Sequence, residues 1–265
     1  MAYLYETHVH TSQSSACGLS LGREYIAPYI DLGYTGIIIT DHFYRGNCAV
    51  NRALPWAKWV EKFCSGYEDA MEEGLKRGLD VFFGWEETYD VGDDYLVYGL
   101  DKKWLLEHPQ VIRWSLKKQF DEVRRYGGCV VQAHPFRQRS YISRIRLSSG
   151  CVDAVEAGNL GNADPSFDAL AMAYARKLNL PFTAGSDMHN ASGIGSDTVF
   201  GVYLDKKLES IADYVNIIRN KEIGALRVPP DRFVLRGDER VTLPVDIRNS
   251  RDQRTGRDLW DFLGL

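Results

Sequence analysis

The sequence has no apolar run long enough to span a membrane. Its start, Met1-Ala2-Tyr3-Leu4-Tyr5-Glu6, lacks the basic residues and apolar stretch of a secretory leader. CxxC and CxC pairs are missing as well. Cys17, Cys48, Cys64, Cys129 and Cys151 are odd in number and scattered, which predicts reduced thiols, a cytoplasmic setting and no zinc–thiolate centre. Neither GxxxxGK[ST] nor GxGxxG occurs, so a P-loop or a Rossmann nucleotide site is excluded. Ser186 does not stand in a GxSxG elbow, which argues against acyl transfer. Basic excess is lacking too: the formal charge of −4 predicts no extended nucleic-acid surface.

What is present reads as an ordinary folded chain, 45% hydrophobic and 26% charged over 265 residues, enough for one large core. Short apolar runs predict strands at 3–6, 36–40, 81–84, 95–98, 129–132, 154–157, 182–184 and 199–204. Between them lie helical patterns at 23–32, 56–77, 114–126, 167–178 and 208–220. The alternation predicts βα units on a parallel sheet, an α/β barrel over residues 1–224. Gly33, Gly78 and Gly127-Gly128 stand where left-handed helix caps belong. After Gly224 the texture turns to proline and arginine, which predicts an extension, residues 225–265, packed on the barrel and pinned by Trp260-Asp261-Phe262-Leu263.

Histidine is scarce, yet five of the six residues stand at the ends of predicted strands. They are His8 and His10 in His8-Val9-His10, His42 in Thr40-Asp41-His42, His134 in Ala133-His134-Pro135, and His189 closing Gly185-Ser186-Asp187-Met188-His189. Glu86 adds a carboxylate in Gly84-Trp85-Glu86. Any one alone is more often a satisfied polar residue, and Asp41 alone an N-cap. Together the weighting reverses, because strand C-termini of a parallel barrel open on one face and gather residues distant in sequence. Two residues apart on an extended segment, the His8 and His10 rings point the same way and can hold one ion. Imidazole with carboxylate suits zinc, manganese or iron. His108, in a helix-to-loop stretch, is read as structural.

These motifs, in this order over about residues 3 to 204, resemble the PHP (polymerase and histidinol phosphatase) family. The resemblance implies a distorted TIM-like (βα)7 barrel hydrolysing phosphoesters with two or three divalent ions. It implies one ion on His8, His10, Glu86 and Asp187, with Glu86 bridging to a second that takes His134. His42 and His189 would hold a third. Phosphoester hydrolysis also needs a proton for the leaving oxygen, and Asp187 or His189 is the candidate to shuttle it. Two positions depart from the pattern. The ligand that usually follows HxH falls on Ser15, which predicts a weak third site that Ser15→Asp would tighten. A further histidine is replaced by Leu96, with Asp94 nearby on the same face.

Arg137 and Arg139 after His134-Pro135, and Arg45 after His42, are candidates to bind a substrate phosphate. Glu156 and Asn159 are candidates to support the metal ligands from behind. The expected substrate is a phosphorylated small or nucleotide-sized molecule. An amidohydrolase-like metal enzyme and a catalytically weakened binding module are the alternatives.

Overall fold

The computed structural model describes residues 2–265, and the predicted alternation becomes a curved sheet that nearly closes on itself. In chain order its strands are β1 (Tyr3–Val9), β2 (Gly36–Ile39), β3 (Asp80–Thr88), β4 (Asp94–Tyr98), β5 (Cys129–Gln132), β6 (Ile145–Ser148), β7 (Ala154–Asn159), β8 (Phe182–Gly185), β9 (Gly201–Leu204), β10 (Ala225–Arg227) and β11 (Val245–Arg248). The main sheet runs β10-β9-β1-β2-β3-β4-β5-β7-β8, and β6 with β11 forms a separate parallel pair. Seven strands, β1–β5 with β7 and β8, make the barrel wall. The seam between β8 and β1 is closed by a parallel bridge between Val9 and Met188. There Met188 N donates to His8 O at 3.2 Å and His10 N donates to Met188 O at 2.8 Å. The other end of that β1 edge is taken by antiparallel β9. The fold is thus the expected distorted TIM-like barrel.

The sheet is not parallel throughout. Residues 89–93 are too short for a crossover, which needs a dozen or more residues, so β4 runs antiparallel to both β3 and β5. Reversal brings the first residue of β4, Asp94, to the end of the barrel where the other strands finish.

Helices α1 (Ile26–Asp31), α2 (Trp56–Phe63), α3 (Ser65–Arg77), α4 (Lys102–Glu107), α5 (Leu116–Arg125), α6 (Ser166–Lys177), α7 (Ile211–Asn220) and α8 (Leu259–Leu263) cover the wall. The helix predicted at 56–77 is two helices that meet at Cys64, where Ser14 Oγ donates to Phe63 O at 2.7 Å. Gly78 caps α3 with φ 82°, a left-handed position that glycine adopts without strain. β6, β10, β11 and α4 were not legible beforehand. In the segment after Gly224, β10 adds to β9, β11 pairs with β6, and Leu259, Phe262 and Leu263 of α8 join Leu170 and Tyr174 of α6 in one apolar cluster.

Tyr5, Ile38, Leu96, Tyr98 and Val131 fill the barrel, while Trp85, Tyr95 and Val97 face outward under α2 and α4. Strand alternation therefore turns Glu86, between Trp85 and Glu87, to the inside. On β1 the alternation is broken. Between Glu6 and Val9 the strand advances three residues against two on β2, a bulge that inserts one residue. Tyr5 faces in and Val9 faces out, although an even spacing would put both on one face. The inserted residue is what turns His8 and His10 to the mouth.

Candidate metal centre

At the barrel mouth, Glu86 lies at the centre of four imidazoles. Its Oε1 is 3.4 Å from His8 Nε2 and 3.2 Å from His134 Nε2. Its Oε2 is 3.6 Å from His10 Nε2 and 2.7 Å from His42 Nδ1. Asp187 Oδ1 stands 3.5 Å from His8 Nε2 and 3.1 Å from His10 Nε2, which are themselves 3.0 Å apart. Four donors at about 2.1 Å from a tetrahedral ion would be about 3.4 Å from one another, so His8, His10, Glu86 and Asp187 fit a divalent cation. Glu86, Asp94 and His134 form a second cluster, and His10, His42 and His189 a third, each with its donor atoms within 4.8 Å of one another.

Unused lone pairs point the same way. Glu86 Oε2 and His42 Nδ1 are both buried and close, yet neither makes a hydrogen bond. Native interiors rarely leave such groups unpaired without an ion or a functional role. The charges agree. Burial would lower the His8 pKa, but Glu156, Asp187 and Glu86 together lift it well above the usual value. His42 is raised similarly, against burial, chiefly by Glu86. Burial would raise Glu86, yet His42 and His8 hold it well below the carboxylate range. His10 is lowered by burial and by His42 and His189.

Partners behind the rings settle which nitrogen faces the centre. His8 Nδ1 is 2.8 Å from Glu156 Oε1, leaving Nε2 for the cavity. A second bulge, in β7 between Glu156 and Gly158, puts Asn159 on the side of Glu156, and Asn159 Nδ2 donates to Glu156 Oε2 at 2.8 Å. Gly185 is needed beside this pair, because a Cβ there would lie 2.5 Å from His8 Cβ. His134 and Asp187 have φ of 26° and 55°, strained positions for non-glycine residues that cluster at functional sites.

Ser15 does not face His42 and His189. It is buried, its Oγ donates to Asp41 Oδ1 at 2.6 Å, accepts from His42 N at 3.0 Å and lies 3.2 Å from His10 Nδ1. Asp41 also takes Thr11 N and Thr11 Oγ1 at 2.6 and 2.7 Å. Ser15 thus orients His10 rather than the third cluster, and Cys17, two residues on, lines the cavity over it. That thiol lies against His42 and His189. Burial works to raise its pKa, but the two histidines outweigh this and bring it to about 6. Leu96 is packed inside the barrel, while Asp94 reaches the mouth with Oδ2 3.9 Å from His134 Nε2.

A cavity of about 630 Å³ opens over these clusters, lined among others by Cys17, Arg45, Tyr89, Arg137, Tyr141 and His189. Arg137 is buried and already paired. Its Nη1 is 2.7 Å from Asp187 Oδ2, and Asn159 and Asn162 accept from its other nitrogens. Arg45 bonds Glu87 Oε1 at 3.1 Å and Trp114 O at 3.0 Å, with its guanidinium 4.3 Å from the Tyr89 ring centre. Arg139 does not line the cavity; its Nη2 donates to Gly161 O at 3.1 Å near the surface. The tail contributes Arg232, which bonds Asp168 and the Asn159 and Asn162 carbonyls behind Arg137. No sequence motif marked Arg232, Asn162 or Cys17. His108 stacks on Trp104, as its structural assignment requires.

Residues 166–221 match the family model described as PHP-associated. No curated protein matches the sequence. Among solved structures, the chain is similar to a two-domain protein from Bacteroides vulgatus containing a predicted PHP-like metal-dependent phosphoesterase, with TM-score 0.62 and 16% identity over 84% of this chain. It spans 64% of that protein's length. A candidate metal-dependent phosphoesterase from Bifidobacterium adolescentis aligns with TM-score 0.52 and 18% identity over 83% of this chain and 96% of its own. Endonuclease Q, in complex with a 27-mer duplex carrying an abasic lesion at its active site, aligns with TM-score 0.54 and 11% identity over 86% of this chain and 58% of its own. At such identities the likeness is one of fold, while the PHP-associated match over residues 166–221 supports the PHP resemblance of the motifs.

Proposed function

We propose that this PHP-type chain is a metal-dependent hydrolase that cleaves a phosphoester of a small or nucleotide-sized molecule. The observation that carries the reading is Glu86, whose two oxygens each face two histidines, a carboxylate arranged to be shared between neighbouring cations. Two to three divalent ions, zinc, manganese or iron, suit these donors. When bound, they would supply Lewis acidity toward phosphoryl oxygens and a nucleophile at neutral pH.

The remaining work falls to the chain. His8, His10, Glu86 and Asp187 would hold the first position, His134 with Glu86 and Asp94 the second, and His42 with His189 the third. Asp187 is paired with Arg137 and held well below the carboxylate range, against burial, by His8 and Arg137. It is therefore the poorer proton carrier. His189 stands at the rim, 29% exposed, and can give a proton to the leaving oxygen whenever it is not itself a ligand. Arg45 and Arg137, both on the cavity wall, would orient the phosphate.

The cavity volume falls within the usual range for small ligands, roughly 300–1,000 Å³, and favours a metabolite or nucleotide over a long duplex. Among the described residues no lysine lines it, which counts against the amidohydrolase alternative. The five cysteines, all free, suit a cytoplasmic protein whose residues 225–265 brace the barrel. A panel of phosphorylated metabolites and dinucleotides, assayed after reconstitution with Mn, Zn or Fe, tests the proposal. Turnover that follows metal and is lost to chelator supports it. A protein that binds these ions but cleaves no phosphoester would overturn it.

A further inference from the structure

The C-terminal segment reaches the barrel mouth from behind. Pro229 and Pro230, whose rings preset the backbone, lead into a short helical turn, Pro230–Phe233, that carries Arg232. The residues around it are built against the bulge of β7. A Cβ on Gly158 would lie 2.7 Å from Val228 Cγ2 and 3.3 Å from Phe233 Cζ, so tail and bulge fit each other. Arg232 is set deep, its side chain 15% exposed, with Nε donating to Oδ2 of the fully buried Asp168. Its Nη2 donates to Asn159 O at 3.2 Å and to Asn162 O at 3.1 Å. One guanidinium thus ties the first turn of α6 to the end of β7, a fork that lysine cannot copy.

From Asp168 the bonds run without a gap to the mouth. Its Oδ1 accepts from Asn159 N at 3.2 Å and from Asn162 Nδ2 at 2.7 Å. The second bond fixes which end of the Asn162 amide faces forward, because an amide that donates through nitrogen on one side presents oxygen on the other. That oxygen accepts from Arg137 Nε at 3.2 Å, and Asn159 Oδ1 accepts from Arg137 Nη2 at 2.6 Å. Arg137 Nη1 completes the run on Asp187 Oδ2 at 2.7 Å. Asn159 extends it sideways, since its Nδ2 donates to Glu156, which accepts from His134 N at 3.1 Å and lies 2.8 Å from His8 Nδ1. Released from Asp168, the Asn162 amide could turn its nitrogen toward Arg137, where donor would meet donor.

We propose that Arg232 is a positioning residue, acting through Asp168 and Asn162 to hold the Arg137 guanidinium in place for the substrate phosphate. This rests on the phosphoester reading above, and it makes the C-terminal segment part of the working site rather than a brace alone. Arg232 does not itself line the cavity, so it acts only through the groups in front of it. Its effect is one of geometry. A misplacement of about 1 Å in a group that orients substrate can cost on the order of 100-fold in rate.

The test uses the full chain, and its first arm needs no substrate. In chelator-treated protein the Arg137 Nε–H signal of a nitrogen–proton spectrum, identified by its absence in Arg137→Lys, should be sharp and slow to exchange. Arg232→Lys keeps a charge beside Asp168 but drops the fork, and it should lose that signal to exchange. Arg248→Lys, a change at the tail's ion pair with Asp246, should not. Asp168→Leu combined with Arg232→Met removes both buried charges, a replacement that often leaves stability unharmed. It should stay folded and still lose the signal, which a role in stability alone does not predict. On any phosphoester that the unmodified chain cleaves, both Arg232 variants should lower turnover about 10–100-fold with metal content unchanged. In an Arg137→Lys background, Arg232→Lys should add little further loss. A signal that stays sharp in either Arg232 variant, one already missing from the unmodified chain, or turnover that ignores its loss overturns the inference. The expected loss of signal, with no phosphoester cleaved by the unmodified chain, supports the coupling and fells the proposed function alone.

Discussion

The Ser15 hydroxyl stands 3.2 Å from His10 Nδ1 and donates its hydrogen bond to Asp41 Oδ1. With its proton so directed, Ser15 Oγ can only accept from the ring, which protonates His10 at Nδ1 and frees Nε2 for the centre. Ser15→Ala should therefore weaken metal binding at the first position by about 10–100-fold, read by competition with a calibrated chelator. Retained affinity would mean the ring needs no such partner. The sequence expectation for Ser15→Asp reverses. A second carboxylate packed against buried Asp41 should lower the melting temperature and tighten no ion.

Glu156 performs the matching task for His8. Glu156→Gln can still accept through its amide oxygen but no longer supplies charge, so its loss of affinity should be smaller than that of Glu156→Ala. Equal losses in the two variants would show that the effect is packing rather than ring polarisation.

A ligand side chain at a barrel mouth ordinarily contributes little to the core, so Asp187→Ala would be expected to spare the fold. The structure revises this, because Asp187 Oδ2 neutralises the buried Arg137 guanidinium at 2.7 Å. Removing one member of a buried ion pair typically costs about 3–5 kcal/mol. Chemical denaturation of metal-free Asp187→Ala should show a loss of that order, along with lost turnover in the loaded enzyme. Removing both charges together should cost less than the two single variants would sum to.

Glu87 gives a pH signature. Burial raises its pKa to about 7 against the pull of Arg45, and its Oε2 has no hydrogen bond. The folded state therefore holds a proton that the unfolded chain has released above about 4.5. Its contribution to stability is fully present below that value and declines as pH rises through about 7. The span is on the order of 3 kcal/mol. In chelator-treated protein, Glu87→Gln should flatten this part of the stability profile. A profile unchanged by the substitution would assign the slope to other groups.

Much of this was legible because the chemistry is borne by rare residues. His8, His10, His42, Glu86, His134, Asp187 and His189 converge because strand ends share one face of a barrel, and that rule needs no coordinates. What stayed hidden depends on chain reversals. Asp94 reaches the mouth only because a short turn makes β4 antiparallel. Cys17 reaches it only because residues 11–20 fold back, and a lone thiol two residues past Ser15 carries no spacing signature. The pairing of Arg137 with Asp187 also stayed hidden, because a sequence does not display which carboxylate lies against a guanidinium. The tail's β10 and β11 escaped notice since proline and arginine around them mask short alternating runs.

Among the described residues, two backbone bonds around Met188 close the barrel at its last junction, backed by the bonds of Thr7 to Ala184 O and of Ser186 to the Glu6 carboxylate. His8 and His10 stand on one side of that junction, and Asp187 and His189 on the other. A cation gripping both sides would act as a rivet through the joint. Metal occupancy and closure of the cylinder then become a single equilibrium. Amide exchange at His10 and Met188, far more than at the helices outside, would report when the rivet is drawn.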